Sequence, residues 1–101
     1  MEKIRADRTI CAVLHCFRPG TEEYIDPSEL RFSVWVETSL GQWAPIETGM
    51  IADSKDTVGI YRKNYWLHPS VFVSGMKVRF LATWRYDEYR YDGVDEIVEI
   101  E

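Results

Sequence analysis

The chain has 101 residues, 46% of them hydrophobic and 14% aromatic, and a net charge of −5. That length allows one domain around a single small core. The acidity argues against a protein that coats phosphates, which needs an excess of Lys and Arg to displace counterions. No apolar run reaches the length of a membrane-spanning helix.

Residues 1–8 are charged and are expected to form a flexible N-terminal arm. Met1-Glu2-Lys3-Ile4-Arg5 turns polar at once, unlike a signal peptide, so a soluble, cytosolic chain or one assembled from cytosolic parts is expected. Thr9 to Phe17 is nearly all apolar and rich in strand formers, and it reads as a buried central strand covered on both faces. Cys11 and Cys16 fall on opposite faces of that strand, too far apart to bridge. Both are expected to be buried free thiols. Arg18-Pro19-Gly20-Thr21 ends the strand. The acidic stretch that follows places Asp26 to cap a single helical turn with Pro27 at its first position.

Leu30 to Thr38 alternates, with Leu30, Phe32, Val34, Val36 and Thr38 on one face and Arg31, Ser33, Trp35 and Glu37 on the other. Trp35 on the polar face either covers a neighbouring side chain or anchors an interface. Ser39 to Gln42 is a turn. Trp43 to Thr48 reads as an edge strand because Pro45 lacks a donor. Gly49 to Asp56 is expected as a loop, Thr57 to Arg62 as a strand, Lys63 to Pro69 as irregular, and Ser70 to Val73 as a short apolar piece. From Met76 to Tyr86 apolar and polar residues alternate, with Leu81 as the exception, and only a strand has that period. Asp92-Gly93 is a turn signal, followed by a last apolar run. That run puts Val94, Val98 and Ile100 on one face and Ile97, Glu99 and Glu101 on the other. The fold class is therefore all-β: a single domain, residues 1–101, built as a small antiparallel β-barrel or sandwich of about six or seven short strands with little helix.

No chemistry-bearing constellation emerges. Cys11 and His15 share a strand face, but a structural zinc site needs four ligands and no second pair is present, so no metal or cofactor is expected. The cysteines sit in an apolar run, which suppresses thiolate formation. Nucleophile-elbow, phosphate-loop and zinc-protease motifs are missing from the sequence, so no catalytic residue is assigned and an enzyme is not expected. The carboxylates of Asp87, Glu88, Asp92, Asp95, Glu96, Glu99 and Glu101 read as a charged outer sheet face that blunts edge pairing. Tyr61 to His68 mixes cations with aromatics. That suits either stacking on single-stranded bases or a protein hot spot. The acidity favours a protein partner, although Arg79, Arg85 and Arg90 would extend a basic stripe if their strands pair suitably. The candidate interface residues are Trp35, Tyr61, Arg62, Tyr65 and Trp66.

Several segments in chain order resemble the head–tail joining (head-closure, or stopper) proteins of tailed bacteriophages. They are Arg8-Thr9-Ile10 after a charged arm, Val34-Trp35-Val36-Glu37, Tyr61-Arg62, Gly75-Met76-Lys77-Val78-Arg79-Phe80, Tyr91-Asp92-Gly93 and Ile97-Val98-Glu99-Ile100. The similarity touches most of the chain and rests on short strand motifs. The insert from Leu81 to Arg90 is longer than the family pattern, and the chain stops sooner after its last strand. The resemblance implies a β-barrel protomer that oligomerises with itself into a ring in the virion neck, between portal or adaptor and tail proteins. The ring completes the DNA channel, and DNA passes an acidic wall without sequence-specific contact. It implies no membrane contact and no enzymatic activity, and Trp35 and Trp66 would serve ring or neck contacts. The rival expectation is a small acidic binding module or inhibitor of another protein, such as a nucleic-acid enzyme, whose carboxylates mimic phosphates.

Overall fold

The structure, a computed structural model, describes the backbone of residues 1–101 and every side chain except that of Val94. Eight strands follow one another: β1 (Lys3–Ile4), β2 (Thr9–His15), β3 (Ser28–Ser39), β4 (Gln42–Met50), β5 (Ser54–Thr57), β6 (Ile60–Trp66), β7 (Lys77–Tyr86) and β8 (Tyr89–Ile100). No helix occurs among the described residues. The strands make a five-stranded sheet in the order β1-β8-β7-β3-β4 and a three-stranded sheet in the order β2-β6-β5. The all-β expectation holds. The arrangement is an open sandwich rather than a closed barrel, because no backbone ladder joins the two sheets.

The alternation of β3 and β7 builds the centre. Leu30, Phe32, Val34 and Val36 of β3 and Val78, Phe80, Ala82 and Trp84 of β7 are buried. Ala12, Leu14 and Cys16 cover them from the other sheet, with Val98 and Ile100 of β8 at one side. Full burial of a large apolar side chain such as Phe32 contributes about 1.5–3 kcal/mol. Ile97 and Glu99 point outward, as the period of two requires. The face expected for Val94 lies outside the described side chains.

Several boundaries differ from the sequence reading. Thr9 to His15 is an edge strand, not a central one: β2 has β6 on one side only, and its odd residues, Cys11 among them, face solvent. Cys11 is therefore exposed while Cys16 is buried, and both are free. The segment expected as a loose arm is tied down. Lys3 and Ile4 pair in parallel with Glu99 and Ile100 of β8, and Asp7 N–H donates to Leu67 O at 2.8 Å.

No helical turn forms at Asp26, because its carboxylate is occupied elsewhere. It accepts from Lys55 Nζ at 2.7 Å, Gly59 N–H at 2.9 Å and Tyr61 O–H at 2.9 Å, which ties the 21–29 connection to the β5–β6 hairpin. The expected loop over 49–56 is partly strand, and the irregular aromatic stretch is the continuation of β6. Ser70 to Val73 is not a strand. It lies in the connection between β6 and β7, held by Phe72 N–H donating to His68 O, and it buries Phe72.

The last hairpin turns at Asp87-Glu88, where Tyr86 pairs with Tyr89, and not at Asp92-Gly93. Asp87 takes a positive φ of 55°, which a short polar side chain tolerates. Gly93 lies inside β8 instead, at a register shift. Register shifts near Ser28/Arg31, Phe32/Val34 and Leu81/Thr83 fall at neighbouring levels of β3, β4, β7 and β8. Such bulges bend strands and strengthen local twist, and a concave patch forms on the outer face of the five-stranded sheet at this level.

Candidate interaction faces

The period of two divides the Tyr61–Trp66 segment between core and surface. Tyr61 and Tyr65 turn inward. Tyr65 packs edge-on to Phe72 with ring centres 6.0 Å apart and lies 6.3 Å from Phe80. Burial, reinforced by the charge of Glu47, raises its phenol above the ordinary range. Tyr61 is pushed up to about 12, first by burial and then by its hydrogen bond to Asp26. Both are half-buried and pack against the core. The basic half of the segment is neutralised: Arg62 meets Asp56 at 2.6 Å and Lys63 meets Asp53 at 3.1 Å.

Arg62 and Trp66 point outward on the three-stranded sheet. There they join residues that the sequence reading placed in the interior, on the outer side of β2. The register sets Trp66 beside Thr9, Asn64 beside Cys11, Arg62 beside Val13 and Ile60 beside His15. Trp66 is 48% exposed and is held in place by its indole N–H, which donates to Asp7 O at 3.2 Å and Asp7 Oδ1 at 3.1 Å. His68 packs on it with ring centres 4.6 Å apart.

At the other end of the strip, Phe17 and Tyr24 form an isolated bridge with ring centres 4.5 Å apart. His15 Nδ1 lies 3.0 Å from Tyr24 Oη. Val13, Phe17 and Tyr24 each leave more than a third of their surface exposed. The face therefore reads aromatic cluster, aliphatic and paired-charge middle, then Trp66. Large side chains fixed by hydrogen bonds lose little entropy on binding and suit a protein interface.

Trp35 lies on the outer face of the other sheet and does not join this strip. It is half-buried, and its indole N–H donates to Ser33 Oγ at 2.9 Å. Near it the concave patch holds two adjoining depressions. One of about 190 Å³ reaches Trp35 and Leu81. The other, of about 370 Å³, is lined by Glu29, Arg31, Gly49, Thr83, Trp84 and Arg90. The exceptional Leu81 of the β7 pattern is thus part of an outer hollow.

The strands do set Arg85 beside Arg90, but two of the three cations of the conditional basic stripe are neutralised. Arg79 is held bidentately by Asp95 at 2.7 and 2.6 Å and lies 6.0 Å from the Trp43 ring centre. Arg85 pairs with Glu29 at 3.3 Å. Among the described residues no three His, Cys, Asp or Glu side chains converge as a metal site would need. Burial, followed by the nearby Asp26 charge, pushes the Cys16 thiol up to about 12, so it stays protonated and unreactive.

No protein-family model matches the chain, and no curated protein or solved structure was found to match it.

Proposed function

We propose that this chain is a structural assembly subunit that docks onto neighbouring proteins through the outer face of its three-stranded sheet. In the finer form of this reading it is a head–tail connector that forms a ring in the neck of a tailed phage. The observation that carries the assembly role is the strip from Phe17 and Tyr24 through Val13 to Trp66. It is a sheet face with exposed aromatics at both ends and Val13 between them, and its middle cation, Arg62, is already neutralised by Asp56. Burying such a face against a partner gains apolar contact without stranding a charge. The resemblance of the strand motifs to head-closure proteins supports the neck setting. So does the net charge of −5, since an acidic ring lets DNA pass without sticking.

The test is sedimentation velocity of the chain alone and mixed with portal and tail proteins, for wild type and for Trp66→Ala combined with Phe17→Ser. Wild type is expected to enter a larger species and the double variant to stay out of it, with an unchanged circular-dichroism spectrum. A wild-type chain that remains monomeric both alone and with those partners overturns the reading.

A further inference from the structure

We propose that the depression at Arg31 and Arg90 receives the acidic tip of the β7–β8 hairpin, Asp87-Glu88-Tyr89, from a second copy of this chain. The proposal deepens the assembly reading and rests on it, because it names the contact by which copies join.

Charge pairing gives the first argument. Lys3, Arg18, Lys55, Arg62, Lys63, Lys77, Arg79 and Arg85 all meet a carboxylate. Arg5, Arg8, Arg31 and Arg90 meet none among the described residues, and of these four Arg31 and Arg90 line the same depression of about 370 Å³. Among the described residues, the one side-chain hydrogen bond of Arg31 goes from Nη1 to the carbonyl oxygen of its own neighbour Leu30, at 2.7 Å. In a chain with 17 acidic and 12 basic side chains, two unpaired guanidiniums lining one hollow are not explained by folding. A guanidinium binds carboxylates by paired N–H donors, and the one carboxylate among the hollow's lining residues, Glu29, is already held by Arg85, so Arg31 and Arg90 are left to receive an anionic group.

The adjoining depression adds shape. It leads to Trp35 and Leu81, which offer apolar surface beside the cations. A fitting occupant therefore carries carboxylates next to a large side chain. The hairpin tip has that composition. Asp87 and Glu88 are exposed and unpaired among the described residues, and Tyr89 is 67% exposed. Pairing of Tyr86 with Tyr89 fixes the tip outward, and its carboxylates reach no cation of their own chain. Tip and hollow thus have complementary unmet charge on one polypeptide. Arg90 directly follows Tyr89, so tip and hollow adjoin on one surface: two copies exchange tips about a two-fold axis or engage head to tail, and the head-to-tail form generates a ring when the rotation closes.

Charge exchange tests the idea by sedimentation at several protein concentrations. Wild type is expected to self-associate, and more weakly at high salt. Arg31→Glu with Arg90→Glu, and separately Asp87→Arg with Glu88→Arg, should each weaken self-association about tenfold or more. An equimolar mixture of the two charge-reversed proteins should restore it, and thermal melts of each alone confirm folding. The inference falls if wild type is monomeric throughout, if the reversals associate like wild type, or if the mixture stays dissociated. Binding of an acidic hairpin peptide by a monomeric wild type also overturns it, in favour of a foreign partner. Loss of partner docking in the Trp66 and Phe17 variant, alongside reversals without effect, removes this contact and leaves the assembly reading standing.

Discussion

At the scale of single residues, two glycines permit close approaches that a side chain would block. Gly59 has a φ of 77°, and a Cβ there would lie 2.8 Å from Cys16 O and 2.9 Å from both Ile25 O and Tyr24 Cδ1. Its N–H also feeds Asp26, and its carbonyl accepts from Cys16 N–H at 2.7 Å. Gly93 is needed for a different reason: a Cβ would run into Leu14 Cδ1 and the indole of Trp84. The obstacles differ in stiffness. Two backbone carbonyls cannot yield, whereas a leucine methyl can rotate. Gly59→Ala is therefore expected to cost about 3 kcal/mol, from left-handed strain plus overpacking, and Gly93→Ala about 1–2 kcal/mol. In melting temperature each kcal/mol corresponds to a drop of about 4–8 °C for a domain of this size. Urea unfolding of both variants checks the order. A Gly93 variant that loses more than the Gly59 variant contradicts this account of the packing.

At the scale of elements, β2 shows how far a sequence pattern reaches. Strands with polar and apolar residues in turn, such as β3 and β7, were legible because solvent and core select different residues on their two faces. In β2 the outward residues Cys11 and Val13 are as apolar as the inward Ala12 and Leu14. The alternation therefore leaves no mark, and the strand reads as buried on both sides. The exposed face that this hides is the candidate interface, so Val13, Phe17 and Tyr24 were missed together. Only Trp66 and Arg62, on the charged partner strand β6, were legible there. The last hairpin misleads in the opposite way. Asp92-Gly93 has turn residues but serves as a bulge, while Asp87-Glu88 turns without a glycine. The assignment of β2 has a direct chemical consequence. Cys11, on the outward side, should react with a thiol reagent in the native protein within seconds to minutes. Cys16, buried and with its thiol pushed up to about 12, should react only after denaturation. One thiol titrating in buffer and the second in guanidinium chloride is the expected result. Two slow thiols would restore β2 to the interior.

At the scale of the whole molecule, the way the smaller sheet is attached predicts how acid dismantles the fold. The three-stranded sheet buries fewer large side chains than the five-stranded one, and two carboxylates fasten its connections. Asp26 clasps Lys55, Gly59 and Tyr61, and Asp53 clasps Asn64 N–H at 2.7 Å and Lys63 Nζ at 3.1 Å. Those hydrogen bonds, led by Lys55, lower the Asp26 carboxyl to about 2, and the bonds from Asn64 and Lys63 lower Asp53. Asp95, gripped by Arg79, is lowered as well. A carboxyl with a depressed folded-state value holds its proton less tightly folded than unfolded, so its ionisation favours the folded state. The contribution is therefore complete above the unfolded value of about 3.9 and is lost as pH falls through the folded one. Stability should then be level from pH 7 to about 5 and fall between about pH 4 and pH 2. Asp26→Asn removes the clasp's charge but keeps its size. It should be less stable than wild type at pH 7, and the gap between the two should shrink toward pH 2. Both carboxylates are largely exposed, so the gap stays modest and narrows further in high salt. Urea midpoints for the two proteins at pH 7, 4 and 2.5 decide the matter. A gap that is constant across the series means that the carboxylate's charge does not hold the smaller sheet in place.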